Sequence, residues 1–271
     1  MTNRIVLRIL VFVLQAAAFG GKPGTLAFGA DTVSESFLHR HHNQAIMSVV
    51  GESKFIEPTD AGLQIRIKPP GVDNTGIRYA PQLIGDFTIT VRASLVNVRK
   101  PSSGYGTGIA ILIEDGLSYG ASLQRVVFPD HRQCLVSHHY TVDAGKYDHQ
   151  AKEKKFGSTD VILQIERKGA NLIYRAAEKG SSELQELDRV KFTDRPIPVT
   201  QVYAQTGGAA NEVCVRIESI EIIAEELLRP GQRSKTADSK KGPVLILVLL
   251  GAGILFTGIT LLRRRRPETT S

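Results

Sequence analysis

Histidine is the residue type most suggestive of chemistry in this chain, because it gathers at His39, His41 and His42 and again at His131, His138 and His139. On an extended segment His39 and His41 would share a face. No local Cys or carboxylate completes a tetrahedral four-ligand zinc set at either group, so polar loops account for both and no metal is expected. Asp73-Asn74 and Asp130 offer oxygen atoms for calcium. Such a site takes about six ligands, and turn formation after Pro69-Pro70-Gly71 explains these residues.

The carboxylates lack catalytic spacing. Retaining glycoside hydrolysis needs an acid and a nucleophile about 5.5 Å apart, which on a strand means alternate positions. Glu114 and Asp115 are adjacent, so their side chains diverge, and Asp115-Gly116 reads as a turn between two strands. Glu218 and Glu221 are three apart, which puts them on different faces of a regular strand. Gly104-Tyr105-Gly106-Thr107-Gly108 lacks the lysine of a phosphate loop and runs into a strand, so no helix dipole is available to phosphate. Neither G-x-S-x-G nor H-E-x-x-H occurs. No catalytic residue and no cofactor is assigned. Cys134 and Cys214 each fall within an expected strand; a disulfide closing a loop of about 80 residues and separate burial as small apolar side chains both remain open.

The charge distribution excludes a tempting partner. A formal charge of +7 and a pI near 9.4 suggest nucleic acid. Residues 1–30 and 229–271 together carry +10, which leaves −3 on residues 31–228. The basicity belongs to the ends, and no nucleic-acid partner is expected. Lys152, Glu153, Lys154 and Lys155 read as a solvated loop.

Those ends have a targeting layout. Arg4 and Arg8 precede an apolar stretch from Ile9 to Phe19, followed by small residues, so residues 1–30 read as a signal peptide. Val244 to Leu262 carries no charge and is long enough to cross a bilayer as a helix. Arg263, Arg264, Arg265 and Arg266 follow it as a cytoplasmic tail, residues 263–271. Residues 229–243 read as a flexible linker. The expected arrangement is a single-pass membrane protein with residues 31–228 outside the cytoplasm.

That exported segment is patterned by alternation. Leu63, Ile65 and Ile67 oppose Gln64, Arg66 and Lys68, as a half-buried strand requires. The same period runs through Phe87 to Leu95, Ile109 to Ile113, Tyr119 to Leu123 and Val161 to Ile165. Lys168-Gly169-Ala170-Asn171 makes Val161 to Ala176 a hairpin. Further strands are expected at Gln133 to Tyr140, Val199 to Gln205 and Val213 to Ile223. Ser182 to Val190 suits a short helix or a strand, and Ser36 to Val50 is irregular. The expected class is all-β: a two-sheet antiparallel jelly-roll sandwich, flanked by a signal helix and a transmembrane helix.

Three stretches carry a family resemblance: FIEPTDAGLQIRIK (55–68) with GDFTITV (85–91), LQIERKGANLIYRAAEKGSSELQEL (163–187) and VYAQTGGAANEVCVRIESIEI (202–222). They resemble the opening strands, a hairpin and the closing strands of concanavalin A-like lectin/glucanase sandwiches. Uncharacterised exported bacterial domains of that superfamily resemble this chain most. The resemblance implies a jelly roll but not a function; glycan recognition is the function most compatible with a jelly roll at a cell surface, and it uses aromatic platforms. The chain has no Trp, so tyrosines must supply them, and the Tyr105 loop with Arg125 and Asp130 is the candidate ligand site. A membrane-anchored binding or adhesion module for a glycan or another envelope protein is expected. A polysaccharide hydrolase, its accessory subunit, or a purely structural envelope protein are the alternatives.

Overall fold

The alternating segments pair into two antiparallel sheets. The structure, a computed structural model, describes residues 30–38, 46–70, 74–181, 183–232 and 234. Its strands are β1 (Asp31–Ser36), β2 (Met47–Val50), β3 (Ile56–Thr59), β4 (Gly62–Ile67), β5 (Asn74–Tyr79), β6 (Gln82–Val98), β7 (Thr107–Glu114) and β8 (Tyr119–Val127). They continue with β9 (Gln133–Asp143), β10 (Lys146–Lys155), β11 (Asp160–Lys168), β12 (Asn171–Glu178), β13 (Gln185–Lys191), β14 (Val199–Gln205) and β15 (Val213–Leu228). An eight-stranded sheet runs β13-β12-β11-β6-β15-β4-β3 with β1 also on β15, and a seven-stranded sheet runs β10-β9-β8-β7-β14-β5-β2. Among the described residues the only helical element is a 3-10 turn at Ser53–Phe55.

Apolar phases of the two sheets face one another. Ile65, Ile89, Val91 and Ile165 from one meet Ile111, Ile113, Leu123 and Val202 from the other in a single buried core. Tyr119 closes onto Phe192 edge to face at 5.9 Å, tying the start of β8 to the segment after β13.

Several expectations change in detail. Ser182 to Val190 resolves in favour of the strand, β13. Lys152 to Lys155 is no loop: it ends β10, an edge strand exposed along its whole length. Such a strand has no apolar face and so no period to read, and its charges are what keep an open sheet edge from pairing with other chains. Glu218 is the extra residue of a bulge between Ile217 and Ser219. The inward phase therefore runs Val213, Val215, Ile217 and then Ile220, Ile222, Ala224, all buried. Consequently Glu218 and Glu221 share the outer face, and Glu218 is occupied by Lys179 at 2.7 Å.

Cys134 and Cys214 are free and buried. Cys134 joins Val126, Phe128 and Val136 on the outer side of the seven-stranded sheet. Cys214 pairs with Arg66 and Asn97 in the other sheet, in opposite phase to the core residues Val213 and Val215. The two thiols thus point away from each other across the sandwich, which rules out the disulfide and leaves separate burial.

The signal peptide, His39, His41, His42, Asp73, Val244–Leu262 and Arg263 to Arg266 lie outside the described residues. Among the described residues no helix is long and apolar enough to cross a membrane.

Two predictions follow from the buried groups. Protein unfolded without reductant should titrate two thiols per chain with a thiol reagent, whereas the folded protein should react slowly. Arg125→Ala should lower the urea-unfolding free energy by about 2–4 kcal/mol, because it strands buried acceptors and leaves a void.

Candidate functional site

Alternation in the seven-stranded sheet leaves one phase for the core and the other for an outer face. Register aligns Glu114 with Gly120, Gly120 with Tyr140, and Tyr140 with His149, so these residues form one row across β7, β8, β9 and β10. The next row is Leu112, Ser122, His138 and Ala151. On the far side of β7, β14 contributes Gln201, Tyr203 and Gln205 to the same face.

Gly120 sets the geometry of the first row. The Tyr140 ring occupies the space that a Cβ at this position would need. Lying across the glycine, the ring reaches β7, where its hydroxyl donates to Glu114 Oε1 at 2.5 Å. Burial, the hydrogen bond to Glu114 and its negative charge all push the phenol above its ordinary pKa. The hydroxyl therefore stays protonated and serves as a donor.

Beside Tyr140 the β9–β10 hairpin stacks more rings. Tyr147 and His149 lie nearly parallel, 7° between planes and 5.5 Å between centroids. His138 Nε2 and His149 Nδ1 are 3.2 Å apart. Burial, followed by the neighbouring His149 and His139, holds His138 below the usual histidine pKa. Tyr147 is 62% exposed and Leu117 75%. The turn before β8, Tyr140, Val142 and Tyr147 enclose a depression of about 210 Å³. That is below the ~300 Å³ at which pockets begin to engulf drug-sized ligands, so it suits one ring or the end of a chain.

Asp115 builds the wall of that depression. Its Oδ1 accepts from the backbone N–H groups of Leu117, Ser118 and Tyr119, and Oδ2 pairs with Arg195 at 3.2 Å. Burial raises its pKa, but these donors outweigh burial and hold the carboxyl below the ordinary value. Thus Asp115 serves the turn read from sequence, while Glu114 points to the outer face.

The three residues expected to bind ligand are not gathered. Tyr105 is 68% exposed on the loop between β6 and β7. Asp130 sits on the β8–β9 turn and lines a surface depression of about 590 Å³ with Arg132, Cys134, Glu153 and Lys155. Lys100 Nζ meets His131 Nε2 at 3.0 Å, so the two loops share one end of the sheet. The Asp130 carboxylate is taken by the Arg132 backbone N–H and by Arg132 Nε at 2.7 Å. Arg125 faces the interior, fully buried. It donates to Ser158 O at 3.0 Å, Val126 O at 2.8 Å and Gln133 Oε1 at 2.6 Å, and burial draws its pKa down to about 10. Arg125 is therefore a brace beneath the loops, out of reach of a ligand. Its phase with Ala121 and Leu123 was the available signal.

The histidine group also divides. His131 caps the turn, His138 faces outward, and His139 Nδ1 is buried. Among the described residues no three His, Cys, Asp or Glu side chains converge as a metal site. The aromatic row escaped sequence reading because His149 and Tyr147 lie on the unrecognised β10; the Ala144-Gly145 turn after Tyr140 was the clue.

Two packed antiparallel sheets with this strand order define a concanavalin A-like lectin and glycoside-hydrolase jelly roll. The chain belongs to the family described as "Protein of unknown function (DUF1583) C domain", whose model matches residues 30–241. Among solved structures it is similar to the Ca²⁺-bound exoplasmic/lumenal domain of VIP36, with TM-score 0.50 and 11% identity over 74% of this chain and 97% of that one. It is also similar to the GH43 protein BlXynB from Bacillus licheniformis, with TM-score 0.52 and 7% identity over 70% of this chain and 39% of that one. For the Bacteroides ovatus xyloglucan PUL GH43B the values are 0.52, 11%, 70% and 38%. The chain thus spans well under half of either GH43 chain. At these identities the likeness establishes the fold alone. No curated protein matches the sequence.

The Tyr140 bond gives a direct readout. In a spectrophotometric titration two tyrosines outside the core, Tyr140 and Tyr203, should ionise above the ordinary value, and Glu114→Gln should bring both down by removing the nearby negative charge.

Proposed function

We propose that this protein is a non-enzymatic glycan-binding module, displayed outside the cytoplasm on a membrane anchor formed by Val244 to Leu262. The observation that carries the binding role is the outer face of the seven-stranded sheet. It offers exposed rings at Tyr147 and His149 beside the partly exposed amide of Gln124, which the buried Ser122 and Gln205 hold in place. Gln124 donates to Ser122 Oγ at 2.8 Å, and Gln205 donates to Gln124 Oε1 at 2.9 Å. Rings stack on the apolar face of a pyranose while neutral amides and hydroxyls match its hydroxyl groups.

Carboxylate placement favours binding over hydrolysis. Glu114 has one other carboxylate on the outer phase of these strands, Glu153, which lies three strands away on β10, opposite Val136. From the register that is about 14 Å across the sheet and about 13 Å along it. Glycosidase pairs sit roughly 5–9.5 Å apart. Glu114 is also held by Tyr140, an arrangement that orients a polar acceptor without supplying an opposed acid.

Support for display at a membrane comes from the sequence pattern alone.

A glycan array followed by titration with the retained polysaccharide tests the binding role. Tyr147→Ala and Tyr140→Ala should each weaken binding about tenfold, ~1.4 kcal/mol, while Tyr105→Ala with Asp130→Ala should leave it near wild type. Retention of no glycan, or binding that survives loss of both Tyr140 and Tyr147, overturns the proposal.

A further inference from the structure

We propose that His138 and His149 form a two-histidine site for a divalent transition ion, with Cu²⁺ the preferred occupant. The two side chains come from adjacent strands, one residue pair apart diagonally, since His149 is opposite Tyr140 and His138 is opposite Ala151. Their ring planes are only 17° apart, with centroids at 5.3 Å and Nε2 to Nδ1 at 3.2 Å. The rings therefore meet nitrogen to nitrogen at their edges, and their faces do not overlap.

A pair held this way shares one proton between two lone pairs. A metal ion can replace that proton by sitting off the N–N line, with both rings turned so that their lone pairs converge on it. Metal–imidazole bonds of about 2.0–2.1 Å, meeting at angles between square-planar and tetrahedral, put the two nitrogens roughly 2.9–3.4 Å apart. The observed 3.2 Å falls inside that window without strand movement. Imidazole suits Cu²⁺, Ni²⁺ and Zn²⁺, and the divalent series places Cu²⁺ highest.

The surroundings keep the ligands in order. Tyr147 stacks on His149 at 5.5 Å, and Tyr140 flanks both rings, at 6.1 Å from His138 and 5.7 Å from His149. Burial holds His138 toward its neutral, metal-binding form. With no third His, Cys, Asp or Glu converging among the described residues, the remaining coordination positions belong to water or an incoming ligand. This site stands on the histidine geometry alone and does not depend on glycan binding.

The test uses the tag-free full chain stripped with chelator, titrated with Cu²⁺ by calorimetry and followed by electron paramagnetic resonance. Wild type should take up an equivalent of Cu²⁺ with nitrogen hyperfine structure, and Zn²⁺ should bind the same place more weakly. His138→Ala and His149→Ala should each weaken that equivalent at least tenfold, as should the milder surface change His149→Gln. His131→Ala should leave it unchanged. Because His39, His41 and His42 also occur in the chain, copper uptake that is unaltered in all three His138 and His149 variants, with folding verified by circular dichroism, overturns the proposal.

Discussion

The antiparallel pairing of β6 with β15 is the constraint on which the rest of the sandwich rests. The two strands run together from Val98 opposite Val213 to Gln82 opposite Leu228. Among the described residues no other strand pair is as long, and each strand's second edge places further strands. The second edge of β6 carries β11, and that of β15 is divided between β4 and β1. The bulge at Glu218 falls where the pairing of β15 with β4 gives way to its pairing with β1. Inserting one residue there restores an apolar inward phase for Ile220, Ile222 and Ala224, which a regular strand would have turned to solvent. A second irregularity, between Ala224 and Glu226, lies opposite Gly85, whose φ of +70° suits glycine.

Two buried arginines close the ends between the sheets that this pairing leaves open. Arg167 donates to Gly85 O and to Arg195 O, and lies over the Phe87 ring at 4.7 Å. Arg125 donates to Ser158 O, Val126 O and Gln133, and lies over Phe156 at 5.6 Å. Both bind mainly backbone carbonyls, so each guanidinium satisfies several acceptors that burial would otherwise leave unpaired. Among the described residues neither makes a salt bridge; carbonyl dipoles and ring faces compensate the charge, and at Arg167 the nearby carboxylates of Asp86, Asp194 and Glu225 add to this. They differ in what they steady: Arg167 holds the segment that supplies Arg195 to Asp115, and through Asp115 the wall of the Tyr140 depression. Arg125 holds the loops at the opposite end.

The fold was readable in the sequence wherever burial is one-sided, because a half-buried strand writes its period in apolar residues. Leu63, Ile65 and Ile67, or Phe87 through Leu95, could hardly be read otherwise. The site was not readable in the same way. Tyr140 and His149 are nine residues apart and meet only through the register of a hairpin whose second strand has no apolar phase. Arg125 shows the opposite error, where a charged residue invites a surface reading although its phase with Ala121 and Leu123 points inward. Cys134 and Cys214 both lie on strands that alternation reveals, yet a bridge depends on which sheet and which face each strand joins.

Glycine is what links the fold to the outer-face chemistry. A side chain at position 120 would stand where the Tyr140 ring lies, forcing the phenol off the sheet and away from Glu114. Because the ring instead lies flat across β8, its hydroxyl spans from β9 to β7 and fastens three strands by a single side chain. The row then continues to His149 and Tyr147 as a surface of stacked rings backed by a sheet. A side chain packed this way loses little entropy when a ligand stacks on it, since its rotamer is already fixed. The same rigidity holds the His138 and His149 nitrogens in register. Ring stacking for a ligand and nitrogen convergence for a metal therefore arise from one local cause, a glycine beneath a tyrosine in the middle of an otherwise regular sheet.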